Sequence, residues 1–301
     1  MEEAQSARRS LEDFLRASGV TVRLEETPQD RFAEPERAPL AHARAAPARE
    51  TPRHRGGAAR SSRALPATPS PPSTPPAAAV PPALPAEGEE AVFAAREAAR
   101  QAGSLEALRA ALAAFEGCPL KATARSTCFG EGPVGAPLMF VGEAPGADED
   151  EAGRPFVGPS GRLLEKMLAA IGFARGDVFI SNVIPWRPVA NRTPSPIETA
   201  TCEVFVRREI ALVGPKVLVL LGGAAAKTLL RVNVSVTREH GRWFRLPPDG
   251  AAADEGAGID AIPTFHPAYL LRTPGEKAKA WRDLLAIRRR LEEAHGLPPL
   301  S

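Results

Sequence analysis

The chain has 301 residues, 32 of them proline, with aromatics at only 5% and a formal charge of +2. That length holds one large domain or two small ones, but prolines and alanines crowd the first third, so the folded part must be much shorter than the chain. The charge neither demands nor excludes a polyanionic partner, and no run of 18 apolar residues offers a transmembrane helix.

Glu2, Glu3, Arg8 and Arg9, with no apolar stretch beside them, are unlike a secretory signal, so a cytoplasmic protein with no membrane partner is expected. Leu11, Phe14 and Leu15 fall at i, i+3 and i+4 and predict a short amphipathic helix over residues 1–20. Too short to be stable alone, that helix must dock on the chain's own domain or on a protein partner. Residues 21–87 are expected to be a disordered Arg/Pro/Ala-rich linker. Between Arg37 and Arg63 seven arginines accompany one acid, Glu50, and between Pro66 and Pro85 nine prolines stand among Ala, Ser and Thr. Such composition favours extended polyproline conformations and cannot bury a core.

Order is expected over residues 88–297. Glu89 to Phe115 is rich in Ala, Glu, Arg and Leu, with Ser104 placed to cap a helix carrying Leu105, Leu108 and Leu112. Four apolar runs come next: Leu138 to Val141, Val178 to Ile180, Val217 to Leu221 and Ile262 to Phe265. Their length and Val/Ile content fit strands buried on both faces. Leu163, Leu164, Met167, Leu168 and Ile171 mark a helix between them, as do Ile197 to Val213 and Ala224 to Leu230, and a last helix spans Lys277 to Ala294. The alternation predicts an α/β fold, a three-layer α/β/α arrangement around a four-stranded, mostly parallel sheet. A monomer is expected.

In such a sheet ligands bind beyond the C-terminal ends of the strands. The first run ends in Gly142-Glu143-Ala144-Pro145-Gly146, a tight turn that brings backbone and one carboxylate close to a ligand. The second ends in Ser181-Asn182, the third in Gly222-Gly223 and the fourth in His266-Pro267. Acid, amide and imidazole at one rim suit a planar base with both donors and acceptors, since an amide accepts from a ring N–H while donating to a carbonyl. Phe156, flanked by turn residues, serves either the core or a stacking platform.

These motifs resemble the family 4 uracil-DNA glycosylases, within the wider uracil-DNA glycosylase superfamily. The resemblance rests on Gly142-Glu143-Ala144-Pro145-Gly146 with Glu149-Asp150, on Gly153-Arg154-Pro155-Phe156-Val157-Gly158, and on Ser181-Asn182-Val183. It continues through Arg187-Pro188, Asn191-Arg192, Leu221-Gly222 and His266-Pro267-Ala268-Tyr269-Leu270-Leu271-Arg272. It implies hydrolysis of the N-glycosidic bond of uracil in DNA, leaving an abasic site. By the same resemblance Phe156 stacks on the flipped base, Asn182 reads its edge, His266 donates to O2, and backbone of Gly142 to Ala144 lines the pocket. Glu143 stabilises the positive charge developing on the sugar or positions the attacking water. The Tyr269-Leu270-Leu271-Arg272 segment, with Leu270, Leu271 and Arg272 as its DNA-binding residues, looks like a loop that enters the duplex, an apolar side chain filling the gap and Arg272 meeting a phosphate.

The family usually carries a [4Fe-4S] cluster on four cysteines. Here Cys118 and Cys202 match two of those positions, while Phe115 and Trp186 stand at the other two. Two thiolates do not hold such a cluster and Cys128 lies elsewhere, so no cofactor and no metal are expected, with an aromatic plug in their place. The histidine-containing insertion of covalently reacting relatives is absent between Asn182 and Pro194, which implies hydrolysis without self-crosslinking. Two alternatives stand beside this reading. One is a glycosylase of broader specificity for deaminated bases; the other is a non-catalytic sensor of uracil or single-stranded DNA, against which the presence of both Glu143 and His266 counts. A dinucleotide-binding fold is disfavoured because the glycine turn lacks G-x-G-x-x-G spacing.

Overall fold

A computed structural model describes residues 86–231, 235–247 and 258–299. The helix expected over 1–20 and the linker up to residue 85 lie outside the described residues. Strands form at Leu138–Gly142 (β1), Phe179–Asn182 (β2), Val217–Leu221 (β3), Phe244–Leu246 (β4) and Ile259–Thr264 (β5). Every residue of β1, β2 and β3 is buried, as continuous apolar runs require of strands covered on both faces. The sheet order is β2-β1-β3-β5-β4, parallel except for β4, which runs antiparallel to β5 at the edge.

Where four strands were expected, the sheet among the described residues has five. β4 has three residues with only Leu246 buried, a pattern too short and too wet to stand out in the sequence. β5 also starts earlier than Ile262 because Asp260, buried but paired with Arg245, belongs to the strand. Pro263 lies past the end of the β4 pairing, so its missing N–H leaves no gap in that ladder.

Alternate strand residues feed two cores. Met139, Val141, Leu218 and Leu220 pack on one side with helices α1 (Ala86–Gln101), α2 (Leu105–Ala114), α5 (Pro196–Val213) and α6 (Gly223–Leu230). Leu138, Phe140, Val219 and Leu221 pack on the other with α4 (Pro159–Ala170), α8 (Pro267–Arg272) and α9 (Lys277–His295). Two short helices, α3 (Ala147–Ala152) and α7 (Val236–Glu239), sit in the connections. Each fully buried Leu or Ile in these layers contributes about 1.5–3 kcal/mol relative to exposure.

Local chemistry fixes the helix ends. Ser104 accepts from the Ala107 N–H at 3.2 Å, the cap expected from sequence. Ser195 and Glu198 form a reciprocal capping box at the start of α5, Pro196 occupies its first turn, and Gly214 ends it in the left-handed region. The parallel strands thus deliver Gly142, Asn182, Leu221 and Thr264 to one rim. No helix among the described residues is long and apolar enough to cross a membrane.

Candidate active site

Gly142 and Asn182 are register partners at the ends of β1 and β2. A Cβ on Gly142 would stand 2.5 Å from Asn182 Oδ1 and 2.6 Å from Phe156 Cζ, so only glycine lets the amide and the ring meet over this backbone. Asn182 is 4% exposed, and its Oδ1 has no hydrogen-bond partner among the described residues. A buried acceptor left unpaired costs about 1–3 kcal/mol, a penalty that a donor on a bound ligand removes.

Phe156 is buried, with its ring centroid 5.6 Å from that of His266 and the planes tilted by 30°. Its backbone is left-handed, φ 51°, a rare state for a side chain of this bulk. Both sides of the segment are held. Glu149 Oε1 accepts from Val157 N–H (3.0 Å) and Gly158 N–H (2.9 Å), and its Oε2 accepts from Gly146 N–H (3.0 Å), tying this loop to the turn after β1. On the other side Arg175 donates to the carbonyls of Pro155 (2.6 Å) and Phe156 (2.9 Å).

His266 is the N-cap of α8, and its Nδ1 accepts from the Ala268 N–H at 3.1 Å. That bond leaves the proton of the neutral ring on Nε2, which becomes a donor. Burial, helped by the nearby Arg272 charge and opposed by Glu149, pushes the imidazolium pKa down to about 4. Glu143 is half-buried, and burial alone raises its carboxyl above the usual range. Glu143, Phe156, Asn182, His266, Arg192 and Arg272 share the lining of one cavity of about 580 Å³. That volume suits a small cyclic ligand and its attachments.

The predicted rim residues therefore converge, with one correction. Tyr269 to Arg272 belongs to helix α8 rather than a loop, and Leu270 is wholly buried in the core, where it has no surface to offer DNA. Leu271 is 44% exposed and Arg272 lines the cavity. The helical turn explains the difference, because successive side chains point about 100° apart and one must face the sheet.

Two features have a form that the sequence does not reveal. Glu149 works as a backbone clamp, a role that three N–H partners define and no motif spacing announces. The loop Pro188–Pro194 contributes Pro188, Asn191, Arg192 and Thr193 to the cavity wall, with Ala190 (φ 52°) and Asn191 (φ 56°) both left-handed. Arg187 Nε donates to Asn191 Oδ1 at 2.9 Å, and Arg192 makes two bonds to buried Glu198 (2.6 and 2.8 Å). Two prolines and an asparagine signal a shaped loop here, but Ala190 conceals its conformation.

The side chains at the four cluster positions are all buried in one core. Cys118 and Cys202 lie with their sulfurs 3.8 Å apart, and their mutual hydrogen bond lowers the pKa of Cys118 and raises that of Cys202. Phe115 and Trp186 are buried in the same core, Phe115 edge-on to Phe205 at 5.2 Å. Trp186 Nε1 donates to Thr127 Oγ1 at 2.9 Å. The third thiol, Cys128, donates to the Glu149 carbonyl at 3.0 Å, and burial raises its pKa to about 12. Among the described residues no group of three or more His, Cys, Asp or Glu is placed to hold a metal ion. These residues do not fit a four-iron cluster.

Fold and rim together define an α/β protein with a polar-lined cavity at the carboxyl ends of its parallel strands. Residues 129–285 match the family model of the uracil DNA glycosylase superfamily, and the chain belongs to that superfamily. Among its relatives, the type-4 uracil-DNA glycosylase of Thermotoga maritima is 42% identical over 156 residues, 52% of this chain and 77% of the relative. That of Pyrobaculum aerophilum is 39% identical over 167 residues, 56% of this chain and 84% of the relative. That of Archaeoglobus fulgidus is 37% identical over 161 residues, 52% and 78% of the respective chains.

Proposed function

We infer that the chain is a uracil-DNA glycosylase, hydrolysing the N-glycosidic bond of uracil in DNA to leave an abasic site. The observation that carries the reading is the unpartnered Asn182 Oδ1 over Gly142, in one cavity with a neutral, Nε2-protonated His266. In this reading uracil N3–H satisfies Asn182 Oδ1 while the amide N–H₂ donates to O4. Phe156 stacks on the extruded base.

Cleavage leaves electrons on the base and positive charge on the sugar. The Nε2–H of His266 donates to O2 as it becomes anionic, and the ring needs no proton exchange to do so. Glu143 as a carboxylate stabilises the oxocarbenium-like sugar or orients the water that adds to C1′. The bond from C1′ to N1 breaks, a water oxygen bonds to C1′, and the water proton ends on the departing uracil. Both groups bind the transition state better than the substrate, which is what accelerates the step. Leu271 would fill the gap in the duplex and Arg272 meet a phosphate, with the arginines between Arg37 and Arg63 adding sequence-independent attraction.

No cofactor enters this reading, because paired thiols and two aromatic side chains stand where cluster ligands would be needed. A DNA substrate agrees with the cytoplasmic location expected from the sequence. The test is incubation of the full chain with oligonucleotides carrying uracil, hypoxanthine or thymine, scoring alkali-labile abasic sites. Cleavage at uracil alone is expected. Cleavage at hypoxanthine as well would widen the specificity, and binding without cleavage would make the chain a sensor.

A further inference from the structure

We infer that Arg175 is a positioning residue that sets the stacking platform of the base pocket and locks it to the strand carrying Asn182. The inference deepens the proposed function and rests on it. Phe156 presents its ring from a left-handed backbone, which an isolated chain would abandon, so the neighbours must impose it. One backbone group from each of four consecutive residues is engaged for this purpose. The N–H groups of Val157 and Gly158 go to Glu149, and the carbonyls of Pro155 and Phe156 go to the two terminal nitrogens of Arg175. Gly161 completes the seat, since a Cβ there would fall 1.8 Å from the Phe156 carbonyl oxygen.

Arg175 is itself held. Its side chain is 17% exposed and pairs with Glu131 and Glu165, both at 3.4 Å. Glu131 binds Arg154 through both carboxylate oxygens (2.9 and 2.7 Å). The backbone of Glu131 also exchanges two hydrogen bonds with Ile180 (2.9 and 2.8 Å), two residues before Asn182 on β2. A continuous path thus runs from the ring that stacks, through Arg175 and Glu131, to the strand that bears the reading amide. A lysine cannot reproduce it, because one ammonium lacks the planar fork that spans two carbonyls and a carboxylate.

The test compares wild type with Arg175→Met and Arg175→Lys, alone and combined with Phe156→Leu, in the full-length protein. Four quantities are read: inhibition by free uracil, single-turnover excision, affinity for abasic-site DNA and thermal midpoint. Arg175→Met is expected to weaken inhibition by free uracil about tenfold and to lower the excision rate, with abasic-site affinity unchanged. Arg175→Lys should fall in the same direction. In the Phe156→Leu background the Arg175 substitutions should add little, since the platform they support is gone. Undiminished uracil inhibition in both single variants, or effects that multiply fully in the double variants, would overturn the inference. If Arg175→Met does not fold, Arg175→Lys and Glu131→Gln carry the same comparison. Failure of wild type to excise or bind uracil would instead overturn the proposed function on which this rests.

Discussion

The carboxamide of Asn182 occupies the space that a side chain on Gly142 would fill, across a single rung of the parallel pairing between β1 and β2. The glycine and the amide are thus one device made of two residues. Gly142→Ala should displace Asn182 and the Phe156 ring together. Excision is expected to fall about a hundredfold, the scale associated with an ångström of misplacement at a reacting centre. Single-turnover kinetics on a uracil oligonucleotide check this; an alanine variant of near wild-type rate would mean the amide sits elsewhere when the base is bound.

Asn182→Asp changes donors and acceptors while keeping shape. The carboxylate cannot donate to uracil O4, so uracil excision should be largely lost, with weak activity on cytosine gained through its exocyclic amine. Parallel assays on uracil and cytosine substrates decide it. Undiminished uracil excision would remove Asn182 from direct readout.

The acid limb of the pH profile should belong to Glu143. Its pKa lies above the ordinary carboxylate value of 4.5, and the ionised form is the useful one, so excision rises with pH through that raised pKa and then levels. His266, with its pKa pushed down to about 4, adds no limb near neutrality. Glu143→Gln should lower the plateau and abolish the limb, and His266→Ala should lower the plateau by about 3 kcal/mol of transition-state stabilisation. A limb that survives in the glutamine variant assigns it to another group.

Ala190 holds φ 52° without the freedom of glycine. Ala190→Gly is expected to raise stability by about 0.5–1 kcal/mol, because relief of the left-handed cost exceeds the entropy that glycine adds to the unfolded chain. Urea unfolding of the two proteins measures this directly, and a destabilised variant would contradict it.

The purified protein should be colourless and free of stoichiometric iron and sulfide. Cys118→Ser and Cys202→Ser should each cost about 1–2 kcal/mol, the size expected for a small polar change in a core, without loss of the fold. Metal analysis and thermal unfolding check both statements. About four irons per chain would overturn the cofactor-free reading.

The four long strands are legible in the sequence because burial on both faces leaves a strand no polar positions, so Val217 to Leu221 announces itself. β4 is not, since an edge strand of three residues with one buried side chain carries no period. The rim residues are legible from their place at the C-terminal end of each apolar run, because parallel strands end together. Backbone state and side-chain direction stay hidden. Phe156 and Ala190 are left-handed without the Gly or Asn that usually marks it. Leu270 and Leu271 look alike in sequence, yet one turn of helix sends the first into the core and leaves the second in water. Glu149 and Arg175 act on main-chain groups, and neither side chain reveals that from its neighbours in the chain.

On the proposed reading, the N-cap of helix α8 holds the imidazole that would meet the base, and near the other end of that helix lies the exposed Leu271 that would enter the duplex. His266 and Leu271 are five positions apart, about 7.5 Å at the rise of a helix. A displacement that carried the leucine into a base stack would then carry the imidazole with it toward its ligand. On that reading a duplex that resists invasion would also withhold its base from the hydrogen-bond donor, and the mechanical compliance of damaged DNA would be a second criterion of selection beside the shape of the base.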